Sequence, residues 1–338
     1  MSARGHGRDT GCQPTGRTFI VIVLFTALAG CGREQSTLNP AGYDASSISL
    51  LFWTMLGGAV VLWLVVNGAF YYMSSVRPGA VDKRYARHIL IGGGIILPVF
   101  VLTALLVWGL SILPDPRRPG DGLVVRVTGE QWWWRVEYWP EGADTPVVSA
   151  NEIRLPVGQR TEIHLTSDKV IHSFWIPALG GKMDMFPGRD TMISLLPERA
   201  GTYRGQCAEF CGASHAWMAF AAVALEPAEF DAWLEAEAAD AVAPQDEAAQ
   251  RGQEVFLNEG CGACHAVRGT PAVGLVGPDL SHVGSRKTLG AGRSSMTLQN
   301  LEAWIAHTED LKPEVKMPSY DLTGTDLADL AHYLNGLK

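Results

Sequence analysis

The stretch CAEFCGASHAWM, from Cys207 to Met218, gathers two cysteines, a histidine and a methionine into twelve residues. All four are soft or borderline metal donors. Cys207, Cys211 and His215 follow one another at intervals of four, and Met218 comes three later. His172, in Val170-Ile-His-Ser-Phe-Trp, brings a second imidazole from the end of an earlier strand. Three chemistries fit some or all of this set. A Cys207–Cys211 disulfide is permitted in an oxidising compartment but leaves His172, His215 and Met218 without a role. A structural zinc tetrahedron takes two Cys and two His and has no use for a thioether. Copper takes thiolate, imidazole and a weak thioether together. A mononuclear site of that kind needs one Cys, so here there is a thiolate too many. Two thiolates can instead bridge two copper ions, with one imidazole for each metal and one weak axial donor for each, the sulfur of Met218 on one side and a backbone carbonyl on the other. Such a centre spreads one electron over two metals and leaves no position open for substrate, which suits electron transfer.

The sequence around this loop reads as β structure. From Gly122 to about Glu226, short alternating segments such as Leu123-Val-Val-Arg-Val-Thr and Thr161-Glu-Ile-His-Leu-Thr are punctuated by Gly, Pro and Asp, which predicts a small β-sandwich or barrel. His164, inside one alternating segment, reads as an ordinary strand residue.

Upstream the chain is apolar. Residues 1–30 read as a lipoprotein signal peptide: a polar start with Arg4, Arg8 and Arg17, an apolar run from Phe19 to Leu28 too short to span a bilayer, then Leu28-Ala29-Gly30-Cys31, which resembles the bacterial lipobox. Cys31 then opens the mature chain and carries the lipid, with 31–46 as a lipid-anchored segment, while Cys12 is removed with the signal. Ile48–Tyr72 and Ile89–Leu113 are each uncharged and long enough to cross about 30 Å of hydrocarbon, so 47–113 is predicted to form a transmembrane hairpin. Arg77, Lys83, Arg84 and Arg87 against Asp82 place its loop in the cytoplasm and both ends outside. Pro98 and Gly92-Gly93-Gly94 mark the second helix for kinking or close packing.

Downstream, residues 227–247 read as an acidic linker. Glu226 to Glu247 contains eight acids and no basic residue, and its composition predicts a solvated segment with helical tendency that permits relative movement. Residues 248–338 form a last domain, opening with helical spacing over Glu247–Leu257 and then Cys261-Gly-Ala-Cys264-His265. The Cys-x-x-Cys-His signature attaches c-type haem through both thiols and sets the histidine under the iron. A sixth ligand completes an electron carrier, and methionine raises the potential relative to a second imidazole. Met317, in the extended Lys316-Met317-Pro318, is preferred to Met296, which opens a predicted helix from Thr297 to about Ala306. His282, His307 and His332 have no motif around them and read as surface or helix residues. Thr325–Leu337 has the apolar spacing of a C-terminal helix.

The whole-chain numbers agree with this division. At 338 residues there is room for several domains, and a formal charge of −8 argues against nucleic acid, whose phosphates need a basic face. An acidic surface suits a basic partner protein instead. Six cysteines are too few for a disulfide scaffold of this length.

With these residues in view, His172, Cys207-x-Glu209-x-Cys211, His215 and Met218 resemble the dinuclear CuA site of cytochrome c oxidase subunit II. The resemblance implies that Glu209 completes the ligation through its carbonyl and reaches a magnesium ion shared with subunit I through its side chain. Gly129-Glu-Gln-Trp-Trp-Trp-Arg-Val-Glu-Tyr resembles the family's aromatic segment, with Trp132 at the position through which electrons reach CuA and Trp133 where the family usually has tyrosine. Ile171-His-Ser-Phe-Trp-Ile-Pro and Met185-Phe-Pro-Gly-Arg follow the same pattern, so the likeness runs from about Asp44 to Glu226. Gly277-Pro278-Asp279-Leu280 resembles the cytochrome segment whose proline carbonyl holds the proximal imidazole.

The family implied is the caa3 type, subunit II with a fused C-terminal cytochrome c. Its expected architecture is a multidomain membrane protein: a two-helix hairpin, an all-β cupredoxin-like Greek-key domain over 114–226 and an all-α cytochrome c domain. The expected role is to pass electrons from cytochrome c or another redox protein, through haem c and CuA, to oxidase subunit I, where oxygen is reduced and protons move. The expected setting is the bacterial inner membrane, with the large domains on the periplasmic side. The alternatives are a CuA subunit of a nitric oxide reductase and a membrane-tethered electron relay acting alone.

Overall fold

The computed structural model describes residues 35–77, 79, 82–112 and 118–338. The signal segment with Cys12, and Cys31 after it, lie outside the described residues.

Among the described residues, two helices are long and apolar enough to cross a membrane: α1, Tyr43–Val76, and α2, Lys83–Ser111. Their side chains are exposed almost throughout, as expected of a surface whose solvent is lipid. Asp82 caps α2, accepting from the Arg84 N–H at 2.8 Å. Ahead of Pro98 the helix runs in π register over Ile89–Ile96. A proline without an N–H cannot close the ordinary ladder, and a wider turn absorbs the missing rung. Helix α1 begins before its apolar stretch because its first turn is tied to the domain above. The Ala41 N–H donates to Ala178 O at 2.7 Å and that of Tyr43 to Leu196 O at 3.0 Å. Asp44 and Arg160, both buried, pair at 3.2 Å.

The middle domain is a sandwich of two five-stranded sheets, in the orders β3-β2-β1-β5-β8 and β4-β10-β9-β6-β7. The strands are β1 Val124–Glu130, β2 Trp133–Trp139, β3 Val147–Ala150, β4 Glu152–Pro156, β5 Thr161–Ser167, β6 His172–Trp175, β7 Lys182–Met185, β8 Thr191–Leu195, β9 Gly201–Cys207 and β10 Ala219–Leu225. The alternation read in the sequence is the burial pattern itself: Val125 and Val127 of β1 and Ile163 and Leu165 of β5 point inward, onto Phe174 and Phe220 of the facing sheet. Parallel pairings of β1 with β5 and of β4 with β10 require crossovers between the sheets rather than a simple meander. His164 sits on the outer face of β5 and pairs with Glu162 at 2.7 Å.

The segment expected to be a solvated linker is different. Its first half is helix α3, Pro227–Ala238, which packs Phe230 and Trp233 on Tyr138 of the sandwich. Phe230, Trp233 and Leu234 share one helix face, so an apolar stripe lies beneath the acidic composition. Only the short stretch from Ala239 to Asp246 connects freely to the last domain, and even there Ala239 O accepts from Arg268 and from the His282 ring. His282 is accordingly buried rather than a surface residue, because it faces this returning chain.

The last domain is helical: α4 Glu247–Asn258, α5 Leu298–Ala306, α6 Thr308–Leu311 and α7 Gly324–Gly336, close to the predicted spans. Phe256 and Tyr333 join α4 and α7 in its core. Its one departure from an all-α reading among the described residues is a hairpin of two short strands, Thr288–Leu289 and Ser294–Ser295.

Candidate functional site

The opening loop is the connection between β9 and β10. Its mouth is closed by the Cys207 N–H donating to Met218 O at 2.9 Å, and β6 pairs Phe174 with Cys207, which brings His172 alongside. The four side-chain donors of the loop and His172 therefore converge. Cys207 Sγ lies 3.8 Å from Cys211 Sγ, and the two thiols are free. The arrangement has two poles. At one, Cys207 Sγ stands 3.7 Å from His172 Nδ1 and 3.1 Å from Glu209 O. At the other, Cys211 Sγ stands 3.6 Å from His215 Nδ1 and 3.8 Å from Met218 Sδ. Each sulfur thus has its own imidazole and its own weak donor, which fits two metals sharing two thiolates and leaves no donor of the set unused. The contact with Cys211, helped by His172 and opposed by burial, brings the Cys207 thiol down to about 4, and the same contact pushes Cys211 up. The Glu209 carboxylate is exposed on the outer surface of the loop beside Phe210.

The second site is a cavity in the helical domain. Cys261 and Cys264 bracket a single tight turn, and His265 follows with Nδ1 donating to Pro278 O at 2.8 Å, so its Nε2 faces the cavity unencumbered. Burial pushes the His265 imidazole below its usual range, which keeps it neutral, as an iron ligand must be. A Cβ at Gly277 would meet the ring at 2.5 Å, so only glycine lets the chain pass under this histidine. Phe256, Leu289, Leu301, Trp304 and Leu330 make the walls apolar. Met317 and Met296 both line the cavity. Arg286, also in the lining, is buried, and its Nε finds no hydrogen-bond partner among the described residues. An apolar slot with two thiols, an imidazole, two thioethers and a buried guanidinium with an unpartnered Nε fits a haem with its propionates.

The two sites share a wall. Gln131, Trp132 and Trp133 of the sandwich close one side of the haem cavity. The Trp132 indole N–H donates to Cys211 O at 3.0 Å, and Trp132 is only 5% exposed. Trp133 lies under the Arg135 guanidinium at 4.7 Å. At the same seam Lys312, 2% exposed, gives its ammonium to Trp132 O at 2.7 Å, Gly290 O at 2.8 Å and Trp217 O at 3.0 Å. Burial is the main influence drawing this lysine down to about 7, with Cys211 acting the other way. Three carbonyls use all three N–H groups of the ammonium, whereas a neutral amine would turn its lone pair on one of them, so the cage selects the charged form. Neither Lys312 nor Arg286 stands out in the sequence, because each works with backbone oxygens or with a bound group rather than in a spaced motif.

Comparison with known proteins agrees with this geometry. Residues 141–225 match the family described as cytochrome C oxidase subunit II, periplasmic domain, and residues 249–338 match the family described as cytochrome c. The chain is 32% identical to cytochrome c oxidase subunit 2 of Alkalihalophilus pseudofirmus, over 96% of this chain and 98% of that protein. The chain belongs to the cytochrome c oxidase subunit II family. It is also 30% identical to the subunit 2 of Bacillus subtilis, over 95% of this chain and 98% of that one. Among solved structures, the periplasmic domain of subunit II of cytochrome oxidase from Bradyrhizobium japonicum is 31% identical, covering 35% of this chain and 94% of its own, with a TM-score of 0.31. Membership with a fused cytochrome domain assigns the two centres their kinds, CuA in the sandwich and covalent haem c in the helical domain.

Proposed function

We propose that this chain is the electron-transfer subunit of a haem–copper terminal oxidase, receiving electrons at haem c and delivering them through CuA to subunit I, where oxygen is reduced to water. When bound, the haem and the copper pair supply reversible one-electron chemistry. Cys261 and Cys264 would tether the haem, and His265 and Met317 would ligate its iron. His172, Cys207, Cys211, His215, Met218 and the Glu209 carbonyl hold the copper. The backbone bonds from Cys207 N–H to Met218 O and from Ala208 N–H to Ser173 O involve none of the side-chain donors, so they would hold the copper loop in place when an electron arrives. No residue of this set offers a substrate position, so the oxygen chemistry belongs to the partner. The observation that carries the reading is Trp132, which forms part of the haem-cavity wall while its indole N–H is bonded to the carbonyl of Cys211.

In this reading the basic loop with Arg77, Lys83, Arg84 and Arg87 faces the cytoplasm of a bacterial cell and both soluble domains lie on the periplasmic side of the inner membrane. Cys31 carries the lipid anchor, Glu209 contributes a side chain to a magnesium ion at the boundary with subunit I, and the donor is cytochrome c or a similar basic redox protein. The test is purification from the native membrane with copper and iron analysis, followed by turnover. Oxygen consumption driven by a reduced donor, with copper and iron in a two-to-one ratio in this chain, is the expected result. Consumption of nitric oxide without oxygen would move the chain to the reductase reading, and isolation without partner subunits would make it a free relay.

A further inference from the structure

The helical domain meets the sandwich through a specific piece of chain. The hairpin Thr288–Leu289/Ser294–Ser295 ends in Gly290-Ala291-Gly292, three successive residues with positive φ, of 62°, 60° and 82°. This bend drives Ala291 into the sandwich core, where it is fully buried, and Ala291 O accepts from the N–H of Ala219, the residue after Met218. The neighbouring Lys287 N–H donates to Glu152 Oε2 at 2.9 Å. Lys312 then bonds the hairpin tip through Gly290 O, the copper loop through Trp217 O, and the aromatic segment through Trp132 O. Ser214, beside His215, closes the same seam by donating to Pro313 O at 2.6 Å.

A buried ammonium on three carbonyls from three separate segments is costly to desolvate and is tolerated only where all three acceptors are delivered together. We propose that Lys312 is a positioning residue for electron transfer: with the Gly290-Ala291-Gly292 tip it clamps the cytochrome domain onto the copper loop and fixes Trp132 between the haem cavity and Cys211. The proposal rests on the reading above for its functional consequence, whereas the clamp itself stands on the contacts alone. It gives a reason why a domain joined by a short connection sits in one orientation rather than sampling many. Electron passage then depends on a cation that lines the haem cavity yet is bonded only to backbone carbonyls.

The test uses the assembled complex carrying Lys312→Leu, and in parallel Gly292→Val, whose added carbons press on the Ala219 Cβ from the hairpin side with Lys312 still present. Two quantities are read. Hydrogen exchange at the amides of Ala219 and Lys287 reports the seam directly, and both variants are expected to speed it by about tenfold or more, as loss of charge-assisted contacts opens the interface. The rate at which photoreduced haem passes its electron to copper is expected to fall by about tenfold because Trp132 is no longer held in one position between the haem cavity and Cys211, while the haem absorption and copper resonance spectra stay as in the parent. Unchanged exchange in both variants overturns the clamp. Faster exchange with an unchanged transfer rate overturns the positioning role of Lys312. Absence of any haem-to-copper transfer in the parent complex would instead overturn the functional reading, with the exchange data still deciding the clamp.

Discussion

At the scale of single residues, the choice of the sixth haem ligand is the sharpest test. Met317 comes from an extended segment ahead of α7, whereas Met296 precedes the first turn of α5, and both line the cavity. An extended strand of chain crosses a haem face more readily than a residue locked beside a helix start, so Met317→Ala is expected to abolish the thioether-ligated low-spin absorption and lower the potential. Met296→Ala is expected to leave the spectrum in place. The reverse result would transfer the ligand role to Met296. The two metal-site motifs were legible in the sequence because their chemistry demands close spacing: two thiols on one turn for the haem, and two thiols, an imidazole and a thioether on one loop for copper. Arg286 and Lys312 were not legible. An arginine buried in the cavity wall and a lysine caged by carbonyls from residues 132, 217 and 290 leave no trace in local spacing.

At the scale of elements, helix α3 changes the architecture most. Phe230 is 4% exposed and packs against Tyr138 and Trp233, while Arg154 lies over the Trp233 ring at 4.8 Å. The helix therefore belongs mechanically to the sandwich. Phe230→Ala is expected to cost about 3 kcal/mol of sandwich stability or more, measured by denaturant unfolding followed through tryptophan fluorescence. A change under about 0.5 kcal/mol, typical of surface substitutions, would mean that the helix rides loosely. The strands were readable because one face of each is buried, which imposes period two on the residues. The helix was masked because its acids dominate the composition while its three large apolar residues, 230, 233 and 234, carry the packing.

At the scale of the whole molecule, two buried charged anchors stand among the contacts that join the membrane helices, the sandwich and the cytochrome domain. One is Lys312. The other is the Asp44–Arg160 pair, which ties the first turn of α1 to the sandwich, with Arg160 also donating to Ser194 O at 3.2 Å. Breaking a buried pair leaves an uncompensated charge, so Asp44→Ala is expected to destabilise the junction by about 3–5 kcal/mol, read as a lower thermal midpoint and as faster proteolysis around Gly42. No shift in either would assign the anchoring to the neighbouring backbone bonds alone. The order of the domains was legible from composition, whereas their docking was not, since the contacts that fix it join residues distant in the chain, such as Lys312 with Trp132, 180 apart, and Ser214 with Pro313, 99 apart. The most direct test of the account is electron paramagnetic resonance of the oxidised chain before and after Cys207→Ser. The parent is expected to give the hyperfine pattern of one unpaired electron shared by two copper nuclei, and the variant to lose it while the haem absorption persists. A parent spectrum of isolated copper, or a paired-copper signal that survives the substitution, would contradict the account.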